Sequence, residues 1–166
     1  MEHYRAVIKV TFVGAGSIEF TRNVVTDLCS YPEFRGDLHL ALYDISAERL
    51  AHAQRLVSRI SEQTGAAATV TATQDRRAAL AGADYVINEV QVGGYQATRA
   101  DFDIPAKYGV RQTIGDTLGI GGIFRGLRTI PVVVELARDM GEICPDACLL
   151  KCCPCLVKLR CGDPGG

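Results

Sequence analysis

No apolar run in this sequence approaches the ~18 residues that a membrane-spanning helix requires, so no membrane partner is expected. Charge of one sign is also lacking, since 18 Lys and Arg against 19 Asp and Glu leave a formal net charge of −1. That balance gives no electrostatic reason to expect a nucleic-acid partner or an anionic surface. The opening Met1-Glu2-His3-Tyr4-Arg5 leads into a strand and lacks a signal peptide's apolar segment and cleavage site, which points to the cytoplasm. Histidine is scarce: His3, His39 and His52 are scattered, with no nucleophile or ligand partner in sequence, and carry no catalytic case. Repeats, linkers and low-complexity segments are absent as well.

What is present fits an ordinary globular chain. Its 166 residues are 48% apolar and 22% charged, enough for one domain with a sizeable core and at most a fragment of another. The seven cysteines are unevenly placed. Cys29 stands alone, whereas Cys144, Cys148, Cys152, Cys153, Cys155 and Cys161 crowd the end. A secreted disulfide scaffold would spread them along the chain.

The organising stretch is the run from Val7 to Ser17, in which β-branched and apolar residues stop at Gly14-Ala15-Gly16 and a helix-like segment follows. A buried strand, a glycine turn and a helix N-terminus together form a diphosphate site, because glycine lets the backbone approach the ligand and free N–H groups face its charge. Downstream, Ala6 to Val13 reads as the first strand. Ser17 caps a helix to about Ser30, with Phe20, Val24 and Leu28 on its apolar face. Leu38 to Tyr43 is a second strand ending on Asp44, and Ser46 caps a helix that Gly65 stops. Ala68 to Thr73, Arg76 to Ala81 and Tyr85 to Val90 then read as strand, short helix and strand. A short helix is expected around Ile104 to Tyr108. A long one follows from Phe124 to Met140, which Pro131 should kink or divide, and Ala147 to Leu150 forms a fifth strand. This βα alternation predicts an α/β fold, a doubly wound parallel sheet.

Several motifs carry chemistry. Gly14, Gly16 and Ser17 would cradle a diphosphate, although Glu19 stands where the usual fingerprint has a third glycine. Asp44 is placed to accept hydrogen bonds from an adenosine ribose, which favours NAD over NADP; the alternative is a helix-capping Asp in a loop. Gly93, in Gln91-Val92-Gly93-Gly94-Tyr95, lies where a fourth strand would meet the nicotinamide half, or in a plain surface turn. Asn88 and Glu89 read as site groups or as polar strand ends, with Glu89 assigned to the latter. Asp116, among four glycines from Gly115 to Gly122, suits a hydroxyl-rich substrate or caps a helix. Arg99 is assigned to the surface, and of Arg125 and Arg128 at least one to a solvated or structural role.

Gly14 to Thr21, Val92 to Tyr95, Ile104 to Gly109 and Gly115 to Gly122 together resemble family-4 glycoside hydrolases, in the α-galactosidase branch above all, with α-glucosidase and α-galacturonidase or α-glucuronidase relatives close behind. The resemblance spans residues 6 to 150 and implies a Rossmann-like domain holding NAD, with a divalent metal, usually Mn2+. It also implies an α-glycoside sugar as substrate and homo-oligomeric full-length relatives. Such enzymes are exceptions to two-carboxylate glycoside hydrolysis. A hydride passes from the sugar's 3-position to NAD, a base removes the proton at the 2-position, the glycosidic oxygen leaves, water adds and the ketone is reduced again. On this resemblance Gly14, Gly16, Ser17, Asp44 and Gly93 contact the cofactor and Asp116 the sugar, and no catalytic or metal-ligating residue is assigned within the chain.

The match breaks after Leu150, where an Asn-Tyr-x-Asn-Pro-Met segment would be expected and the chain instead reads Lys151-Cys152-Cys153-Pro154-Cys155. Residues 1–150 are therefore expected to form an NAD-binding domain, truncated before the family's second domain. Residues 151–166 are expected to be a divergent, disordered Cys-rich tail from a frameshifted gene end; one Cys-x-x-Cys without a second pair is weak support for zinc. The chain is expected to be an inactive nucleotide-binding part of its hydrolase. The alternatives are an NAD-dependent dehydrogenase akin to those acting on 2-hydroxy acids and a non-catalytic NAD-binding fragment.

Overall fold

A computed structural model of the chain describes residues 7–112 and 119–151. Five parallel strands form one sheet: β1 (Ile8–Val13), β2 (Leu38–Tyr43), β3 (Thr69–Thr73), β4 (Tyr85–Asn88) and β5 (Cys148–Lys151). Their order is β3-β2-β1-β4-β5. The chain thus builds outward from β1 in one direction and then returns to build outward in the other. The change of direction falls between β1 and β4, and a crevice opens at such a switch point above the strands' C-terminal ends.

Helices cover both faces, as a parallel sheet requires. On one side α1 (Ile18–Ser30) and α2 (Ala47–Thr64) enclose a core in which Val25 and Val57 meet Phe12 and Leu40. On the other, α3 (Arg76–Leu80) and α5 (Ile120–Ile143) bring Leu80, Leu136 and Met140 onto Val13 and Val86. Phe12 and Val13 are neighbours in β1 yet belong to opposite cores, because successive strand side chains point to opposite faces. Thr11 is fully buried and polar, and its hydroxyl donates to Ala79 O at 3.0 Å. On the same side Arg76 and Arg77 of α3 reach Asp139 at 2.6 and 2.7 Å, and Arg77 also reaches Glu142 of α5 at 2.8 Å. These pairs lock α3 against α5.

Several helix expectations need correction. Of the Phe20, Val24 and Leu28 row expected to face inward on α1, Val24 and Leu28 pack half-buried against the core and Phe20 does not. Thr21, Val25 and Cys29 are buried, and Phe20 is 50% exposed. The Thr21 hydroxyl faces inward, 2.9 Å from Ala15 O. The short helix expected at Ile104 to Tyr108 is in fact α4 (Gly94–Ala106), and it begins immediately after Gly93 in the left-handed region at φ 82°. Pro131 lies inside α5 without dividing it, since the buried Thr129 and Val133 dock the helix on either side of the missing donor. No helix among the described residues is long and apolar enough to cross a membrane.

Candidate functional site

The C-terminal ends of β1, β2 and β4 surround a cleft of about 590 Å³. Its floor is the glycine turn. The N–H groups of Gly14 and Ala15 both donate to Tyr43 O, at 2.9 and 3.0 Å, so the turn is pinned to the end of β2. Gly14 has φ 92°, and a Cβ there would sit 3.0 Å from the Val90 nitrogen. Both backbone conformation and space therefore demand glycine. Gly16 has a different reason: its Cβ would lie 2.5 Å from Asp44 Oδ2 and 2.8 Å from Arg49 Cβ.

Asp44 is 8% exposed and already engaged. Its Oδ2 accepts from Gly16 N at 2.8 Å and its Oδ1 from Ser46 N at 2.8 Å. One carboxylate thus ties the glycine turn to the loop that enters α2, while the remaining lone pairs stay available to a ligand. Ser17 occupies the N-cap position of α1, but its side chain makes no cap hydrogen bond. The first-turn N–H groups of α1, which a helix cannot satisfy internally, gain no acceptor from it. Ser17, Ile18 and Arg49 line the cleft beside Asp44.

On the β4 side the cleft is bounded by Glu89, Val90, Gln91, Gly94 and Tyr95. Gly93 lies just outside that lining. Its Cβ would meet Ala97 Cβ at 2.5 Å, so Gly93 is required for the entry into α4. The loop is held from behind by Arg128, whose Nε donates to Val92 O at 3.1 Å and whose Nη1 donates to Asp101 Oδ1 at 2.7 Å. Nη2 pairs with the second oxygen of Asp101, completing a fork that joins α5 to α4. Arg99 is a surface residue paired with Asp103 at 3.4 Å. The structure therefore gathers Gly14, Gly16, Ser17 and Asp44 at one cleft and sets Gly93 at its border; Asp116 lies outside the described residues, as do Cys152, Cys153 and Cys155. Among the described residues no group of three or more His, Cys, Asp or Glu side chains could hold a metal ion.

Glu89 is the residue that sequence reasoning misplaced. Assigned to a polar strand end, it does follow β4 but is only 8% exposed and lines the cleft. A parallel strand is covered on both faces, so a side chain just past its end inherits the burial; the run Val86-Ile87-Asn88-Glu89 was the available signal. Asn88 is buried too, its Oδ1 accepting from Val90 N at 3.0 Å. Burial pushes the Glu89 carboxyl up from 4.5 to about 7, against a smaller opposing effect of the Thr21 hydrogen bond. The folded state then holds a proton that the unfolded chain has released between those two values. Stability contributed by this group is full below pH 4.5 and lost as pH rises to about 7. Glu89→Gln should remove that loss, gaining ~2–3 kcal/mol on wild type at pH 8 relative to pH 4.5. Urea unfolding of both proteins at the two pH values checks this, and parallel pH profiles would contradict it.

The sequence model of Family 4 glycosyl hydrolase matches residues 9–156. An alpha-galactosidase of Bacillus subtilis (strain 168) is 49% identical over 144 residues, which cover 86% of this chain and 33% of that protein. An alpha-galactosidase of Rhizobium meliloti (strain 1021) is 46% identical over 138 residues, covering 83% of this chain and 28% of its own length. Among solved structures, the 6-phospho-beta glucosidase of Thermotoga maritima with manganese, NAD+ and glucose-6-phosphate superposes with a TM-score of 0.77 at 26% identity, over 87% of this chain and 33% of that one. The chain thus spans about a third of the length of the curated relatives it matches.

Proposed function

This chain belongs to family 4 of the glycosyl hydrolases, and on that premise we propose that it is the NAD-binding part of an NAD- and Mn2+-dependent glycosidase of the α-galactosidase type. The observation that carries the cofactor reading is the Asp44 carboxylate, fixed over a Cβ-free glycine turn at the sheet's switch point. The residues present fit a dinucleotide. Gly14 and Gly16 let the diphosphate approach the backbone, and the uncapped first turn of α1 offers N–H donors and the positive end of its dipole. Asp44, at the end of β2, accepts from the adenosine ribose hydroxyls with the lone pairs that Gly16 and Ser46 leave free. Gly93 and its neighbours would border the nicotinamide half.

Bound there, NAD supplies a reversible hydride acceptor, which oxidises a sugar carbon and later returns the hydride. The described residues do not fit a metal site, so no step through Mn2+ is assigned to them. Asp116 is proposed to contact the sugar. Residues 1–150 would form the nucleotide unit and 151–166 a divergent extension. By itself the chain is proposed to turn over no glycoside; release of nitrophenol from an α-galactoside by the purified chain with NAD and Mn2+ would refute that.

Asp44 makes a sharper prediction about the cofactor. Its carboxylate repels a 2′-phosphate, so NADP should bind at least about tenfold more weakly than NAD in calorimetric titration at physiological salt. Equal affinities would contradict the placement of the adenosine ribose.

A further inference from the structure

Glu89 holds the only buried side-chain oxygen or nitrogen among the described residues that lacks a hydrogen-bond partner, its Oε1. The residue follows β4 directly, and its N–H donates to Val13 O at 2.8 Å, which sets it beside the glycine turn. A Cβ on Gly14 would lie 3.1 Å from the Glu89 carbonyl carbon. Glu89 and Asp44 therefore stand on opposite sides of β1, one at the end of β4 and the other at the end of β2. If Asp44 marks the adenosine ribose, Glu89 lies toward the other nucleoside.

The Thr21 hydroxyl can serve either state of the carboxyl. Thr21 Oγ1 is 2.9 Å from Ala15 O and 2.9 Å from Glu89 Oε2. A hydroxyl has one proton and the carbonyl can only accept. When the carboxyl is protonated, that proton goes to Ala15 O and Oε2–H donates to Thr21 Oγ1; when it is ionised, Thr21 Oγ1 donates to Oε2 instead. In the protonated form Oε1 is a neutral carbonyl-type acceptor with nothing to accept from. An acid in this form can stand beside a diphosphate without repelling it, and its vacant acceptor suits a sugar hydroxyl.

We propose that Glu89 binds the nicotinamide-side ribose of the dinucleotide, Oε1 accepting from a ribose hydroxyl while Oε2–H is held by Thr21. This inference rests on the NAD reading above. The charged and titratable groups sharing the cleft are Asp44, Arg49, Tyr43 and Tyr95, with the N-terminus of α1 beside them. Burial opposes ionisation and the Thr21 hydrogen bond favours it to a smaller extent, so the carboxyl is pushed up to about 7. Raising the pH above that value replaces the neutral acceptor by an anion beside the nicotinamide-side phosphate, which AMP lacks, so cofactor affinity falls.

The test is calorimetric titration of the full chain between pH 7 and 9 with two probes, NAD and AMP, the latter lacking the second ribose. Wild type should lose about tenfold or more in NAD affinity across this range while its AMP affinity changes less than about twofold. Glu89→Gln, which cannot ionise but keeps an acceptor and a donor to Thr21, should bind NAD with a flat profile across the same range. A flat wild-type NAD profile would overturn the inference and leave the NAD reading standing. An equal fall for AMP, or a slope retained in Glu89→Gln, would also overturn it. Absence of NAD binding by the cooperatively folded chain at every pH would overturn both. Should Glu89→Gln not fold, the wild-type comparison of NAD with AMP decides alone.

Discussion

Replacing Arg128 by methionine should destabilise the folded chain by about 3–5 kcal/mol, the range for breaking a buried ion pair from one side. The Asp101 side chain is 3% exposed, and both of its oxygens are held by the guanidinium fork. Without Arg128 the carboxylate is left charged inside the α4–α5 interface, and Val92 O loses the donor that reaches it at 3.1 Å. Arg128→Lys should recover little, because an ammonium cannot match both oxygens and the carbonyl at once. Pairing Arg128→Met with Asp101→Leu should recover more than half of the loss, since removing both charges removes the stranded one. Urea denaturation followed by circular dichroism measures all three variants. A cost below about 1 kcal/mol for Arg128→Met would mean the pair behaves as an exposed one. The variant should also loosen the Val92–Tyr95 edge of the cleft, so weaker cofactor binding should accompany the lost stability.

The second large effect falls on Asp44→Ala. Two backbone donors, Gly16 N and Ser46 N, lose the acceptors now 2.8 Å away. Stranding a buried donor costs about 1–3 kcal/mol each. Water can reach the cleft, so the lower end of that range applies, and ~2 kcal/mol in total is expected. Cofactor affinity should suffer more, by about 100-fold, because the ribose acceptor disappears and the glycine turn is freed in the same step. Asp44→Asn separates the two roles. Its amide oxygen can serve one of the donors while its NH₂ faces the other, so it should regain less stability than its size suggests. Gly16→Ala offers an independent check, since its Cβ would enter the space of Oδ2 at 2.5 Å and push the carboxylate off the turn. It should weaken NAD nearly as much as Asp44→Ala does. Calorimetry that finds either variant equal to wild type would remove Asp44 from the site.

The parts of this arrangement that were legible in sequence are those written in consecutive residues. The apolar run through Val13, the glycines that interrupt it and the Asp that closes the next strand are local signals. Each follows from backbone chemistry at a single turn. Asp44 is expected from sequence to contact a ligand, but its hold on Gly16 and Ser46 depends on two loops meeting and was not visible. The facing of α1 was legible only in part: Val24 and Leu28 pack on the core as their spacing suggests, whereas Phe20 is exposed and Thr21 is buried. Asp101 and Arg128 are far apart in sequence and belong to helices of which only the later was anticipated at length, so their fork could not be read. The beginning of α4 was hidden because Gly93-Gly94 signals a turn, and the helix starts on the second of those glycines. Glu89 was misjudged by its type alone: carboxylates are seldom buried without a partner, and the exceptions gather at sites.

The claim on which the rest depends is that NAD lies on the glycine turn with its diphosphate at the N-terminus of α1. Amide hydrogen exchange of the full chain, with and without saturating NAD, tests that placement directly. The amides of Ile18, Glu19 and Phe20 have no intrahelical acceptor and receive no cap from Ser17, so they should exchange fast in the free chain. They should slow by about tenfold or more when the cofactor binds, together with Ser17 and the loop from Asp44 to Ser46, while β3 and the outer face of α2 stay unchanged. Saturable NAD binding that protects a different surface and leaves these amides fast would contradict the account.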